Sequence, residues 1–300
     1  MYLSIRDAMI AGGEFRTPVA GLRHLKIDAV ELNLDDDFMV MSLDGGDPYT
    51  LFSETEAEAY RAYLDGLGVR CCALLTSRDL SSATREQNVQ WFCRAIAIAQ
   101  SLGADAVRVD SVMHQREAEL SFGDRVEIFR STLSEVLLQT SGSRVSLALE
   151  NHGILGNNLA YLLNILESVD SERIGLTIDT ANFYWRGYPL GEVYGILKLL
   201  APYARHTHAK NIAYPADKRE ITRDIGWEYG TYMCPLDEGD IDHGQVLRML
   251  AGAGYRGDVC IENESLERFE AGAARIAILE RDAAHIRELI ASIGQRDPRT

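Results

Sequence analysis

Four short apolar runs in the second half of the chain each carry a residue type that binds metals. They read VSLALE, ending at Glu150; IGLTID, ending at Asp179; RHTHAK, which carries His208; and DVCIE, ending at Glu262. A lone glutamate at the end of such a run is most often a solvated terminus. A lone histidine in a strand is usually a satisfied core group. Four in succession read differently. On neighbouring strands, three carboxylates and an imidazole converge and repel one another unless a cation sits among them. One divalent ion, Mn²⁺, Mg²⁺, Co²⁺ or Zn²⁺, suits such a mixed oxygen and imidazole set. Open coordination positions would then accept substrate oxygens.

Neighbouring residues extend this chemistry. His206, His208 and Lys210 alternate with Thr207 and Ala209, so they face one side of a strand. His206 is expected one layer deeper and Lys210 at the mouth. Lys210 is a candidate catalytic residue. His152, Asn182, Trp185 and His206 are candidate substrate contacts. An ammonium beside a bound cation is expected to have a depressed pKa and to release its proton readily. The simpler alternative pairs Lys210 with a loop carboxylate such as Asp237 or Glu238.

Only parallel strands with short spacing bring these positions together. Strands are expected at Tyr2–Ile5, Ala29–Leu34, Val69–Leu75, Ala106–Asp110, Val145–Glu150, Ile174–Asp179, Arg205–Lys210 and Asp258–Glu262. Several are apolar almost throughout, as strands covered on both faces are. Helical stretches separate them. Thr84-Arg-Glu-Gln87 is a capping box, and Val89, Phe92, Ile96, Ala99 and Leu102 then mark one helical face. Repeated strand–helix alternation implies a parallel sheet. With 300 residues it favours an α/β fold, a single (β/α)₈ TIM barrel over residues 1–300. No GxGxxG follows the first strand, which weakens a dinucleotide-binding alternative. The connection 211–243 holds Tyr214, Pro215, Trp227, Tyr229, Tyr232 and Pro235, and reads as a long active-site loop.

Composition narrows the partners. The formal net charge of −15 repels phosphate backbones and anionic membranes, so neither nucleic acid nor a membrane surface is expected as a partner. The five cysteines include no CxxC pair and read as buried thiols of a reducing, cytoplasmic protein. The expected partner is a small molecule. A homo-oligomer is compatible with the sequence, which does not set the oligomeric state.

The segments LALENHG, GLTIDTANFYW, RHTHAKN and PLDEGDIDHGQVLRMLAGAGYRGDVCIEN resemble the xylose isomerase-like barrel superfamily of sugar phosphate isomerases and epimerases. The last is the most specific: a Gly-Asp-x-Asp turn, a helix, Gly-Tyr-x-Gly, then a strand ending in glutamate. The resemblance implies a Glu–Asp–His–Glu site for one divalent ion, at Glu150, Asp179, His208 and Glu262. It implies that the two glutamates accept and return a proton next to a carbonyl, as in the family's ketose 3-epimerases. Two positions depart from those epimerases. Lys210 stands two residues after His208, as in the His-x-Lys-Asp version seen in inosose dehydratases, and Asn182 stands where the epimerases have histidine. The resemblance therefore implies a metal-dependent isomerase or epimerase acting on a small-molecule sugar or polyol. The alternatives are a dehydratase using the same site and an inactive sugar-binding barrel.

Overall fold

The structure is a computed structural model. It describes residues 1–113, 119–169 and 171–294. Eight parallel strands form the barrel: β1 (Tyr2–Arg6), β2 (Ala29–Asn33), β3 (Arg70–Leu75), β4 (Ala106–Val109), β5 (Ser146–Glu150), β6 (Ile174–Asp179), β7 (Ala204–Ala209) and β8 (Asp258–Ile261). Each pairs with its neighbours in sequence, and β8 closes against β1. The expected strands are all present, within a residue or so at each end.

Helices surround the sheet and begin where the side chains allow. Ser53, Thr84 and Ser121 each accept a hydrogen bond from the third helical N–H, and the side chains of Glu56, Gln87 and Asp124 accept the backbone N–H of the cap residue. The main core lies between helices and strands and includes Leu32, Val107, Leu149 and Ile178 from the sheet, with Phe92 and Phe129 from the helices.

The inside of the barrel is built differently. Ala29, Cys72, Ala73, Ala106 and Ala148 form a separate small apolar plug, with Tyr2 against it. Two residues further along β2, β4 and β5, on the same face, stand Glu31, Arg108 and Glu150. Small side chains at the base thus support a buried polar layer above. That layer sits at the C-terminal ends of the strands, where barrels of this kind carry their sites.

Register places the ligand-type residues side by side. The pairing of β6 with β7 slips one residue between Leu176 and Thr177. Thr177 and Asp179 then stand opposite His206 and His208. On the other side His208 stands opposite Cys260, two residues before Glu262.

The connection 211–243 is more ordered than a loop. Asn211–Ile212 pairs antiparallel with Met233–Cys234, and a short helix, Tyr229–Tyr232, lies between. Asn211 ties both ends: its side chain donates to the Leu236 and Ile241 carbonyls at 2.8 and 3.1 Å. The helix His243–Gly252 follows and opens on a buried histidine. Burial, reinforced by His285, pulls the His243 pKa down to about 4. The unfolded chain then takes up a proton near the ordinary histidine value, while the folded chain does not until about 4. His243 therefore costs stability progressively as pH falls through that window. Denaturation of the parent and of His243→Gln at several pH values should show a difference that grows on acidification. A constant difference would place a normal histidine there.

Candidate metal centre and active site

Glu150, Asp179, His208 and Glu262 are all buried, and each offers a ligand atom within 4.8 Å of the others. His208 Nδ1 lies 3.1 Å from Glu150 Oε1 and 3.3 Å from Glu262 Oε2, between the two glutamates. Two oxygens of the group, Asp179 Oδ2 and Glu262 Oε2, are buried without a hydrogen bond. Unsatisfied buried acceptors are uncommon and point to a missing partner. Three carboxylates and one imidazole with free oxygens fit a divalent cation. Burial raises Asp179 to about 7, against the pull of Lys210, because Glu262 and Glu150 crowd it.

Each ligand is held from behind. Asp179 Oδ1 accepts the backbone N–H groups of Ala181 and Asn182 at 2.8 and 2.7 Å, which turns Oδ2 toward Lys210 Nζ, 3.2 Å away. Asn151 clamps the same residue, accepting its N–H at 2.8 Å and donating to its carbonyl at 3.0 Å. Arg108 donates to Glu150 and also pairs with Asp110 at 3.0 Å. Arg6 donates to Glu262. Burial alone would raise both glutamates. Arg108 and His208 outweigh it at Glu150, and His208, Lys210 and Arg6 do so at Glu262, so both are held well below the usual carboxylate range.

Arg108 is a buried cation shared by two buried acids, so its loss strands both. Breaking a buried pair from one side typically costs about 3–5 kcal/mol. Arg108→Met is expected to lower unfolding stability by about that amount in chemical denaturation. A change within about 0.5 kcal/mol, typical of surface positions, would contradict this role.

Lys210 is buried and lies 3.2 Å from Asp179 Oδ2, 3.2 Å from Glu262 Oε2 and 2.8 Å from Glu264 Oε1. Burial works against its charge, but Asp179, Glu262 and Glu264 more than offset it and push its pKa well above the usual lysine value. The expected depression assumed a cation bound beside the lysine; what it left out is Glu264. Asp237 and Glu238 do not pair with Lys210 either; both bind Arg281 at the surface. Tyr229 of the long connection donates to Glu264 at 2.5 Å, so this segment reaches the edge of the site.

The other expected contacts separate. Asn182 is in place, with Nδ2 3.4 Å from Glu150 Oε1 and Oδ1 3.4 Å from Lys210 Nζ. His152 stands at the rim, part exposed, and bonds Asp110 at 2.9 Å. Burial lowers its pKa, but Asp110 and Glu150 bring it above the usual histidine value. Trp185 packs near Gly226 of the long connection. His206 is fully buried below the ligands, and both ring nitrogens are taken, by Asp258 and Glu31 at 2.9 Å each. It has no nitrogen left for a substrate.

Arg6, Glu31, Arg108 and Glu264 went unread in the sequence. A charged residue inside an apolar strand, as in AVELN and AVRV, was the available signal. A cavity of about 440 Å³ opens at the ends of β1 and β2, lined by Arg6, Asp7, Asn33, Met39 and Met41. Arg6 joins this cavity to Glu262.

Residues 19–289 match the family described as xylose isomerase-like TIM barrel. The chain belongs to that family. A relative, an inosose dehydratase of Klebsiella pneumoniae, is 23% identical over 219 residues, covering 67% of this chain and 72% of that one. An uncharacterised protein of Methanocaldococcus jannaschii is 29% identical over 141 residues, which span 45% of this chain and only 43% of that protein. Among solved structures, the IOLI protein with a bound zinc atom superposes with a TM-score of 0.71 at 14% identity, covering 98% of this chain and 99% of that one. An L-ribulose 3-epimerase superposes with a TM-score of 0.68 at 18% identity, covering 99% of this chain and 97% of that one. Among the described residues, no helix is long and apolar enough to cross a membrane.

Proposed function

We propose that this chain is a divalent-cation-dependent sugar isomerase or epimerase that moves a proton next to a carbonyl. The observation that carries this reading is the buried group of Glu150, Asp179, His208 and Glu262 at the strand ends. A divalent ion held by these four would supply a Lewis acid for negative charge developing on a substrate oxygen. Glu150 and Glu262 approach His208 Nδ1 from different strands and are both held as anions, in the form that accepts a proton. One removes the proton from carbon; the other takes a proton from water and returns it to the carbon, while the first releases its own to water. Asn182 reaches both Glu150 and Lys210 and orients the groups between them. The cavity beside Arg6 gives the substrate room. The test is a metal-replete panel of ketoses, inososes and keto-sugars followed by NMR in D₂O. Deuterium should enter at the carbon next to the carbonyl of at least one sugar. Complete lack of exchange across the panel would contradict the reading.

The position of Lys210 and the inosose dehydratase relative favour a second reading, a dehydratase. There Lys210 would protonate a leaving hydroxyl. Three carboxylates, Asp179, Glu262 and Glu264, hold its ammonium in place, as a purely structural cation would be held. Lys210→Met decides between them. Under the second reading, water loss stops while deuterium exchange continues. Under the first, the parent loses no water at all.

A further inference from the structure

Behind the four acid and imidazole groups runs a second polar line. His208 Nε2, on the far side of its ring from Glu150 and Glu262, lies 2.9 Å from Glu31 Oε2. Glu31 Oε1 is 2.9 Å from His206 Nε2, and His206 Nδ1 is 2.9 Å from Asp258 Oδ1. Glu31, His206 and His208 are all fully buried. Tyr255 donates to the same Asp258 oxygen at 3.1 Å and closes the line.

We propose that Glu31 is the positioning residue of the metal centre, acting through His208 and itself held by His206 and Asp258. The inference rests on the metal-centre reading above. A carboxylate at Nε2 accepts that N–H, so Nδ1 is the nitrogen left to face Glu150 and Glu262. It fixes ring orientation and tautomer together and makes Nδ1 a stronger donor. Glu31 cannot hold this pose alone. Its partner His206 pins the second oxygen, and Arg6 lies 3.7 Å from the first. The β2–β3 register slips between Val30 and Glu31, at the residue that must point inward.

Glu31, His206 and Cys260 also lie close enough to suggest a second cation site. The hydrogen bonding argues otherwise. Both His206 nitrogens and both Glu31 oxygens already have partners, and burial pushes the Cys260 thiol up, away from the thiolate that a metal needs. A satisfied network needs no ion.

The test is Co²⁺ titration of chelator-treated protein, read by visible absorption and by competition with a chelator. Parent, His208→Ala, Glu31→Gln, His206→Gln and the double variant of Glu31 and His206 are compared, with circular dichroism to confirm folding. Glu31→Gln should weaken Co²⁺ binding about 10–100-fold and shift the absorption band, as loss of an outer carboxylate does. His206→Gln should weaken it less. The double variant should bind no worse than Glu31→Gln, because His206 acts only through Glu31. If Glu31→Gln does not fold, a weakening by His206→Gln carries the test. Parent-like affinity in Glu31→Gln, or in His206→Gln where that variant carries the test, overturns the inference. So does a double variant whose loss multiplies the two single losses. A second bound Co²⁺ whose thiolate charge-transfer band vanishes in Cys260→Ser would also overturn it. A parent that binds no Co²⁺, or a His208→Ala variant that binds it like the parent, sinks the metal-centre reading and this inference with it; the other outcomes touch the inference alone.

Discussion

Chelation of the protein is expected to abolish its turnover, and addition of Mn²⁺ or Co²⁺ is expected to restore it. The group at the strand ends has two carboxylate oxygens without a hydrogen bond, both faced by the one ammonium of Lys210, and a buried Asp179 raised to about 7. Burial and the neighbouring Glu262 and Glu150 disfavour a further anion at Asp179, and a bound cation would relieve that. Removing His208 takes away the group's imidazole and breaks its contacts with both glutamates. His208→Ala should therefore weaken metal binding by more than the roughly 10–100-fold typical of losing an outer partner. Activity titrated against free metal for parent and variant measures this. Full turnover in verified metal-free protein would contradict the expectation.

The second large effect concerns the two glutamates. Glu150→Gln and Glu262→Gln keep shape and remove the charge that takes a proton. A positioned base contributes about 10²–10⁴ in rate, and each variant is expected to lose at least that. Each residue is also a candidate ligand, so metal content must be measured on the same samples. A variant that keeps its metal and is still inactive locates the base. The two should differ in stability. Glu262 faces Arg6, His208 and Lys210, and Glu150 faces Arg108 and His208, so neutralising Glu262 weakens three contacts and neutralising Glu150 two. Near-parent rates in both metal-replete variants would place the base elsewhere.

The fold was readable because its signals are local. Runs such as IGLTID are buried along their whole length and need no partner to be recognised as strands. Thr84 and Gln87 announce their helix within four residues. The four acid and imidazole groups were readable for the same reason, since each sits at or near the end of such a run. What supports them was not. Glu31 meets His206 across 175 residues of sequence, and Arg108 meets Glu150 across 42. Such pairs arise only when the barrel closes, and no spacing rule announces them. Lys210 shows the cost: its surroundings depend on Glu264, which lies just beyond β8. The internal order of the connection 211–243 was not legible either: Asn211 and a short ribbon tie it together through pairings about 20 to 30 residues apart.

The central claim is that one divalent ion sits among Glu150, Asp179, His208 and Glu262. Anomalous scattering from crystals grown with Mn²⁺ tests it most directly. The account predicts one strong peak per chain, bounded by ligand atoms of these four residues. A peak elsewhere in the barrel, or none at saturating Mn²⁺, would contradict it.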